Sequence, residues 1–184
     1  MEAGREMNER YKIGEARFFL ARMEESVEDR GSFRYYLSAF LSAARTVLQY
    51  ALEESERKNS RQWYDDTVGK FKLMKDFFKD KRDANIHREE PIDPSRHVTI
   101  ANSEGVGVIS AASEVFFNDK PVEMERPAEE PPPLKPPERR HEDTVRYRFN
   151  DWSSPEDVIG LSHRYIDELE SFIQSGMKIG ILTG

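Results

Sequence analysis

The chain has 184 residues and a formal net charge of −7, with 37% hydrophobic and 34% charged residues. That composition supports one modest core beneath a strongly solvated surface. It holds no cysteine, which excludes a disulfide framework, a thiolate nucleophile and a Cys-ligated zinc site. Residues 1–10 are polar and lack the apolar run of a signal peptide. No stretch approaches the roughly 18 consecutive apolar residues of a membrane span. A single cytoplasmic domain over 1–184, with no membrane partner, is the expectation.

The first helix is predicted from about residue 6 to residue 28, where Ile13, Ala16, Leu20, Met23 and Val27 recur at helical spacing, with Phe18 and Phe19 widening the apolar face. Gly14 costs it about 1 kcal/mol relative to alanine without stopping it. A turn around Gly31, over 29–32, leads into the strongest helical pattern of the chain. There Phe33, Tyr36, Leu37, Phe40, Leu41, Ala44, Val47, Leu48, Ala51 and Leu52 form one continuous stripe, closed by the charged run 53–58. Ser38, Ala39, Ser42 and Ala43 are small enough to let another helix approach closely. Two helices with so short a link read as an antiparallel hairpin. A third helix, about 64–88, turns Phe71, Met74, Phe77 and Phe78 inward and is stopped by Pro91 and Pro94.

The pattern then changes period. Residues 97–101 and 106–111 are β-prone runs around Ser103, Glu104 and Gly105, a predicted hairpin, and 115–117 adds a third strand. Residues 121–137 hold seven prolines and four glutamates, which predicts an exposed polyproline-type or disordered loop. From Thr144 to Phe149, Val145, Tyr147 and Phe149 alternate with arginines as in a half-buried strand. The last helix is predicted after a Ser154 cap, with Pro155 at its first position and Asp157 in its first turn. Val158, Leu161, Tyr165, Leu169, Phe172 and Ile173 form its apolar face, and Gly176 is placed to end it. The fold class is therefore mainly α: a four-helix bundle built from 6–94 and 152–176. A small β-containing, proline-rich insertion, 95–151, lies between the third and fourth helices.

Charge is distributed unevenly. Residues 57–88 carry 10 Lys/Arg against 5 Asp/Glu, a net of +5, whereas 1–56 and 89–184 are net −3 and −9. The basic segment draws an anionic ligand or is simply a solvated lysine face. It ends in Arg82-Asp83-Ala84-Asn85-Ile86-His87. An arginine that can hold a phosphate stands there five positions before a histidine that titrates near neutral pH. On a straight helix such residues point about 140° apart. Meeting one phosphate therefore requires a loosened helix end or a second copy that contributes to a shared cleft. Asp83 and His87 are four apart and share a face, so the carboxylate could orient the imidazole. Asn85 is a neutral donor and acceptor on the arginine side. The structural alternative pairs Arg82 with Asp80 or Glu89 and leaves His87 as a cation at a helix C-terminus.

Arg82, Asp83 and His87, with the long second helix and the closing helix after Pro155, resemble the HEPN (higher eukaryote and prokaryote nucleotide-binding) family. Its motif is an arginine, a polar residue, a short spacer and a histidine near the end of a bundle helix. The resemblance covers roughly 6–94 and 152–176 and leaves the β/proline insertion outside. It implies a metal-independent endoribonuclease that acts as a homodimer, with Arg82 and His87 as the catalytic pair and Asp83 and Asn85 supporting them. RNA or a nucleotide is then the ligand, a nucleotidyltransferase-type antitoxin is an implied partner, and no cofactor is required. Family members that bind nucleotides or proteins without catalysis leave a second reading open: a non-catalytic nucleotide-binding or protein-interaction helical module.

The remaining histidines, His97, His141 and His163, have no second ligand at diagnostic spacing. Trp63, Phe71, Phe77 and Phe78 could stack bases, but their helical spacing predicts core packing. Arg146 and Arg148 flank Tyr147 on a face that is either solvated or in contact with RNA.

Overall fold

The structure is a computed structural model. It describes residues 9–87, 92–102, 105–110, 115–117, 120–121 and 144–184, with side chains for 9–85, 92–99 and 144–184. The chain divides into two units, 1–93 with 156–184, and 94–155. The protein is mainly helical, with a small antiparallel sheet.

The helical unit contains α1 (Glu9–Glu25), α2 (Arg30–Arg57), α3 (Arg61–Val68), α4 (Lys72–His87) and α5 (Val158–Lys178). The apolar stripe of α2 is its centre: Phe33, Leu37, Phe40, Val47, Leu48 and Ala51 are fully buried. Ala43 and Ala44 are buried beside them. That stripe is covered within the chain, so α2 does not offer the free apolar face that would by itself pair two copies. Burial of one such leucine or phenylalanine contributes about 1.5–3 kcal/mol.

Side-chain pairs set the helix directions. Glu24 meets His163 and Arg17 meets Glu170, so α1 and α5 run antiparallel. Phe78 stacks on Tyr165 with ring centres 4.3 Å apart, while Phe71 packs edge-on to Phe172, so α4 and α5 are antiparallel too. Ser38 bonds Asn85 and Phe40 meets Phe78, which opposes α2 to α4. With α3 and α4 as one interrupted rod, the unit is an up-and-down bundle of four rods. Trp63, Phe71 and Phe78 are part of its aromatic core, Trp63 stacking on Phe172 at 5.2 Å.

Several element ends differ from expectation, each for a local reason. The α1/α2 turn lies at 26–28, not 29–32. Asp29 caps α2, its Oδ1 accepting the Gly31 and Ser32 amides, so Gly31 sits inside the helix. At the other end α2 continues through the charged run to Arg57. Asn59 stops it by taking a left-handed backbone, φ 54°. The Ser60 amide then donates to Ser55 O at 2.7 Å and Asn59 to Glu56 O at 3.0 Å, the paired bonds of a Schellman ending. The third helix starts at Arg61 rather than Tyr64, and a 3₁₀ turn at Gly69–Phe71 separates α3 from α4.

Ser154 is not the cap of α5. Asp157 is, its Oδ1 accepting the Gly160 amide at 2.7 Å. Nor does Gly176 end that helix. Gly180 does, at φ 74°, with Ile181 N–H donating to Gly176 O at 2.9 Å.

The second unit carries a five-stranded antiparallel sheet of order β4-β3-β2-β1-β5: β1 Ser95–Asn102, β2 Gly105–Ser110, β3 Val115–Phe117, β4 Lys120–Pro121 and β5 Thr144–Arg148. β1 and β2 form the hairpin, in register Asn102 to Gly105 and Val98 to Ile109. β5 lies on the other side of β1, with Val98 opposite Val145. Val145, Tyr147 and Phe149 are buried and Arg146 is exposed, the period-2 alternation of a half-buried strand. The two-residue β4 has no sequence counterpart, because so short a run shows no alternation. Beyond Pro121, the proline-rich loop lies outside the described residues. No described helix is long and apolar enough to cross a membrane.

Candidate functional site

Arg82, Asp83, Asn85 and His87 all lie on the last turns of α4. Phe78 and Met74, one and two turns before Arg82, anchor this helix in the core. Arg82 is half-buried, with 28% of its side chain exposed. Its Nη1 donates to Asp83 Oδ1 at 3.0 Å. Its Nε is buried and has no hydrogen-bond partner among the described residues. Among the described residues, the acid that Arg82 meets is Asp83, its sequence neighbour, rather than Asp80; Glu89 lies outside them.

Asp83 also faces Lys79 Nζ at 3.6 Å. The hydrogen bond from Arg82, with the positive charge of Lys79 behind it, holds the Asp83 carboxyl below the usual carboxylate range. Lys79, Asp83 and Arg82 thus form one charged cluster on α4. His87 is the last residue of the helix, and its side chain lies outside the described residues.

Asn85 turns toward α2. Its Nδ2 donates to Ser38 Oγ at 2.6 Å, and its Oδ1 accepts the Ile92 amide at 3.4 Å. Two arginines at the start of α2 continue this clasp. Arg34 Nε donates to Ile92 O at 3.1 Å, and Arg30 donates through Nε and Nη2 to the two carboxylate oxygens of Asp93 at 3.2 and 2.6 Å. Arg30, Arg34 and Ser38 are four residues apart and so share one face of α2. That spacing was readable in the sequence; its target, the chain after α4, was not. These bonds fix where α4 ends relative to α2.

A second polar cluster sits at the opposite end of the bundle. Glu9 and Glu54 are both buried. Burial pushes the Glu9 carboxyl above its ordinary value, and the neighbouring Glu54 adds to the rise. Burial also pushes Glu54 upward, but the Lys58 ammonium and the Thr183 amide and hydroxyl outweigh it and hold Glu54 below its ordinary value. Thr183 thereby ties the chain after α5 to the end of α2.

The other histidines do not join the site. His163 Nε2 pairs with Glu24 at 2.6 Å. Burial, aided by the charge of Arg148, pushes His97 below its ordinary value. His141 lies outside the described residues. Among the described residues no group of three or more His, Asp or Glu is arranged to hold a metal ion. Comparison of the chain with protein-family models, curated proteins and solved structures gives no match.

Proposed function

We propose that the protein is a HEPN-like, RNA-acting protein, a metal-independent endoribonuclease whose site is composed from two copies of the chain. The observation that carries this reading is Arg82: a half-buried guanidinium at the end of α4 whose buried Nε lacks a partner among the described residues. A donor left unpaired in that position costs stability unless a ligand supplies an acceptor, and a phosphate oxygen is the acceptor that a guanidinium fork fits. The up-and-down bundle and the basic character of the segment leading to Arg82 support the same reading.

The chemistry follows from RNA's own nucleophile. The 2′-oxygen attacks the adjacent phosphorus and the bond to the 5′-oxygen breaks. His87 takes the 2′-hydroxyl proton, and the departing 5′-oxygen is protonated in turn, leaving a 2′,3′-cyclic phosphate and a 5′-hydroxyl. General acid–base help of this kind contributes typically 10²–10⁴ in rate. Arg82 neutralises charge gathering on the phosphate oxygens. Asp83 sets the orientation of Arg82. Asn85 fixes the end of α4 through Ser38.

Because Arg82 and His87 point about 140° apart on one helix, the pair that acts on one phosphate is drawn from two chains. One observation favours the non-catalytic alternative, in which Arg82 is structural: its Nη1 already holds Asp83. Mixed dimers separate the two. Arg82→Ala and His87→Ala, each inactive alone, restore RNA cleavage when refolded together if the site is shared. No restoration, with both single variants dimeric, rejects the shared site.

A further inference from the structure

Four cations on α4, Lys72, Lys75, Lys79 and Arg82, follow one another at steps of three, four and three residues. They therefore lie on one side of the helix, in a row spanning ten residues, about 15 Å. The first three line a groove of about 400 Å³ between α2, α3 and α4, together with Arg45 of α2 and Arg61 of α3. Asp65 is the one acid among its lining residues, and Arg61 holds it through both carboxylate oxygens. Arg61 also pairs with Glu56 of α2 at 2.5 Å, and on α4 Asp76 pairs with Lys75 at 2.8 Å and Asp83 with Lys79 and Arg82.

Arg45 is the informative member. It is half-buried, yet it makes no hydrogen bond or ion pair among the described residues. It lines the groove together with Tyr64. Among the described residues Lys72 makes no ion pair either. With no acceptor among the described residues, the Arg45 guanidinium is available to a phosphate oxygen. Beyond Arg45 the groove has apolar lining from Leu52, Val68 and the Tyr64 ring, a surface suited to sugars and bases rather than to a bare inorganic ion. The length of the row decides the ligand class. One mononucleotide needs one or two cations, whereas four in line over about 15 Å suit successive phosphates of an extended strand.

We propose that this groove and the α4 row form a track for the phosphates of a single-stranded nucleic acid, anchored at Arg45 and leading to Arg82. The inference rests on the RNA-acting reading for what happens at Arg82, but not for the binding itself. Phosphate contacts carry no sugar identity, so the track holds RNA and DNA strands alike.

The test measures binding of labelled oligouridine, oligothymidine and uridine monophosphate to the full chain across a salt series. The variants are the triple Arg45→Gln/Lys72→Gln/Lys75→Gln and, as a control for folding, the double Lys72→Gln/Lys75→Gln at exposed or half-exposed positions, both checked by thermal melting. The triple variant should bind oligouridine at least roughly tenfold more weakly, with the salt slope reduced by about 2, near 0.7 per lost contact. The double variant should show the same change in smaller measure, and oligothymidine should lose as much as oligouridine.

Unchanged affinity and slope in both variants overturn the track, as does a failure of the wild type to bind either oligonucleotide. Monophosphate binding as tight as oligouridine overturns it in favour of a mononucleotide pocket. Groove-dependent binding without any cleavage leaves the track standing and rejects the ribonuclease reading. Cleavage by a protein whose groove variants bind normally does the reverse.

Discussion

Asn85 Nδ2 donates to Ser38 Oγ at 2.6 Å, joining the last turn of α4 to the first half of α2. The same asparagine accepts from Ile92 beyond the helix, so one side chain holds the helix end and its exit together. Asn85→Ala should cost about 1–2 kcal/mol, because it leaves the Ser38 hydroxyl without this donor. Ser38→Ala should cost about as much, and the double variant less than the sum. Urea unfolding checks this as a lower midpoint at unchanged slope. A stability equal to wild type would assign Asn85 to ligand contact instead.

Gly176 lies where α5 meets Trp63 and the residues after the helix. A Cβ there would stand 2.6 Å from Trp63 Cη2 and 2.7 Å from Leu182 Cγ and Cδ1. Leu182 is buried and the Trp63 ring is stacked on Phe172, so neither yields freely. Gly176→Ala should therefore destabilise by about 1–3 kcal/mol, the usual range for overpacking, despite alanine's better helix propensity. A thermal melt equal to or above wild type would contradict the close packing of this end.

Glu9 gives the protein a pH dependence of definite sign. Its folded-state carboxyl titrates above the ordinary value of 4.5, chiefly through burial. Between the unfolded and the folded titration the native state binds more protons than the unfolded state, so stability falls as pH rises through that window. Glu54 works in the opposite sense: titrating below its ordinary value, it contributes stability that is lost as pH falls through its folded titration. Glu9→Gln should remove the first effect only. Compared with wild type it should gain stability at neutral pH and lose that advantage in mildly acid solution, measured by urea midpoints across pH. An equal offset at every pH would show that Glu9 titrates normally.

The helical core was legible because α2 and α5 carry uninterrupted apolar stripes: those of Val158 to Ile173 are buried, as are those of Phe33 to Leu52 except the half-buried Tyr36 and Leu52. Phe18 of α1, by contrast, is exposed and Phe19 half-buried, because they flank the face that packs. Strands were legible where alternation was long enough, as at Val145 and Tyr147. Helix ends were less so, since several residues compete for each cap. Asp29 and Asp157 prevailed over the nearby Ser154 and the Gly31 turn because their carboxylates reach amides of the first turn. Asn59 and Gly180 ended helices because they adopt a left-handed backbone, which Gly176, packed under Trp63, does not. At the candidate site the motif positions were readable, but the partners were not. Asp83 on Arg82, Ser38 on Asn85 and the unpaired Arg45 depend on which helix faces which, and that is a property of the packed bundle.

A ribonuclease and a binding module separate on incubation of single-stranded RNA in EDTA with wild-type protein and with His87→Ala purified in parallel. The wild type should cleave RNA to products ending in 2′,3′-cyclic phosphate, with matched DNA left intact. His87→Ala should lose cleavage while keeping most of its RNA affinity, since a proton-transfer group acts chiefly in the transition state. Arg82→Ala should lose both, because it also holds the ground-state phosphate. Equal cleavage by wild type and His87→Ala, or no cleavage of any RNA by the wild type, would contradict the account.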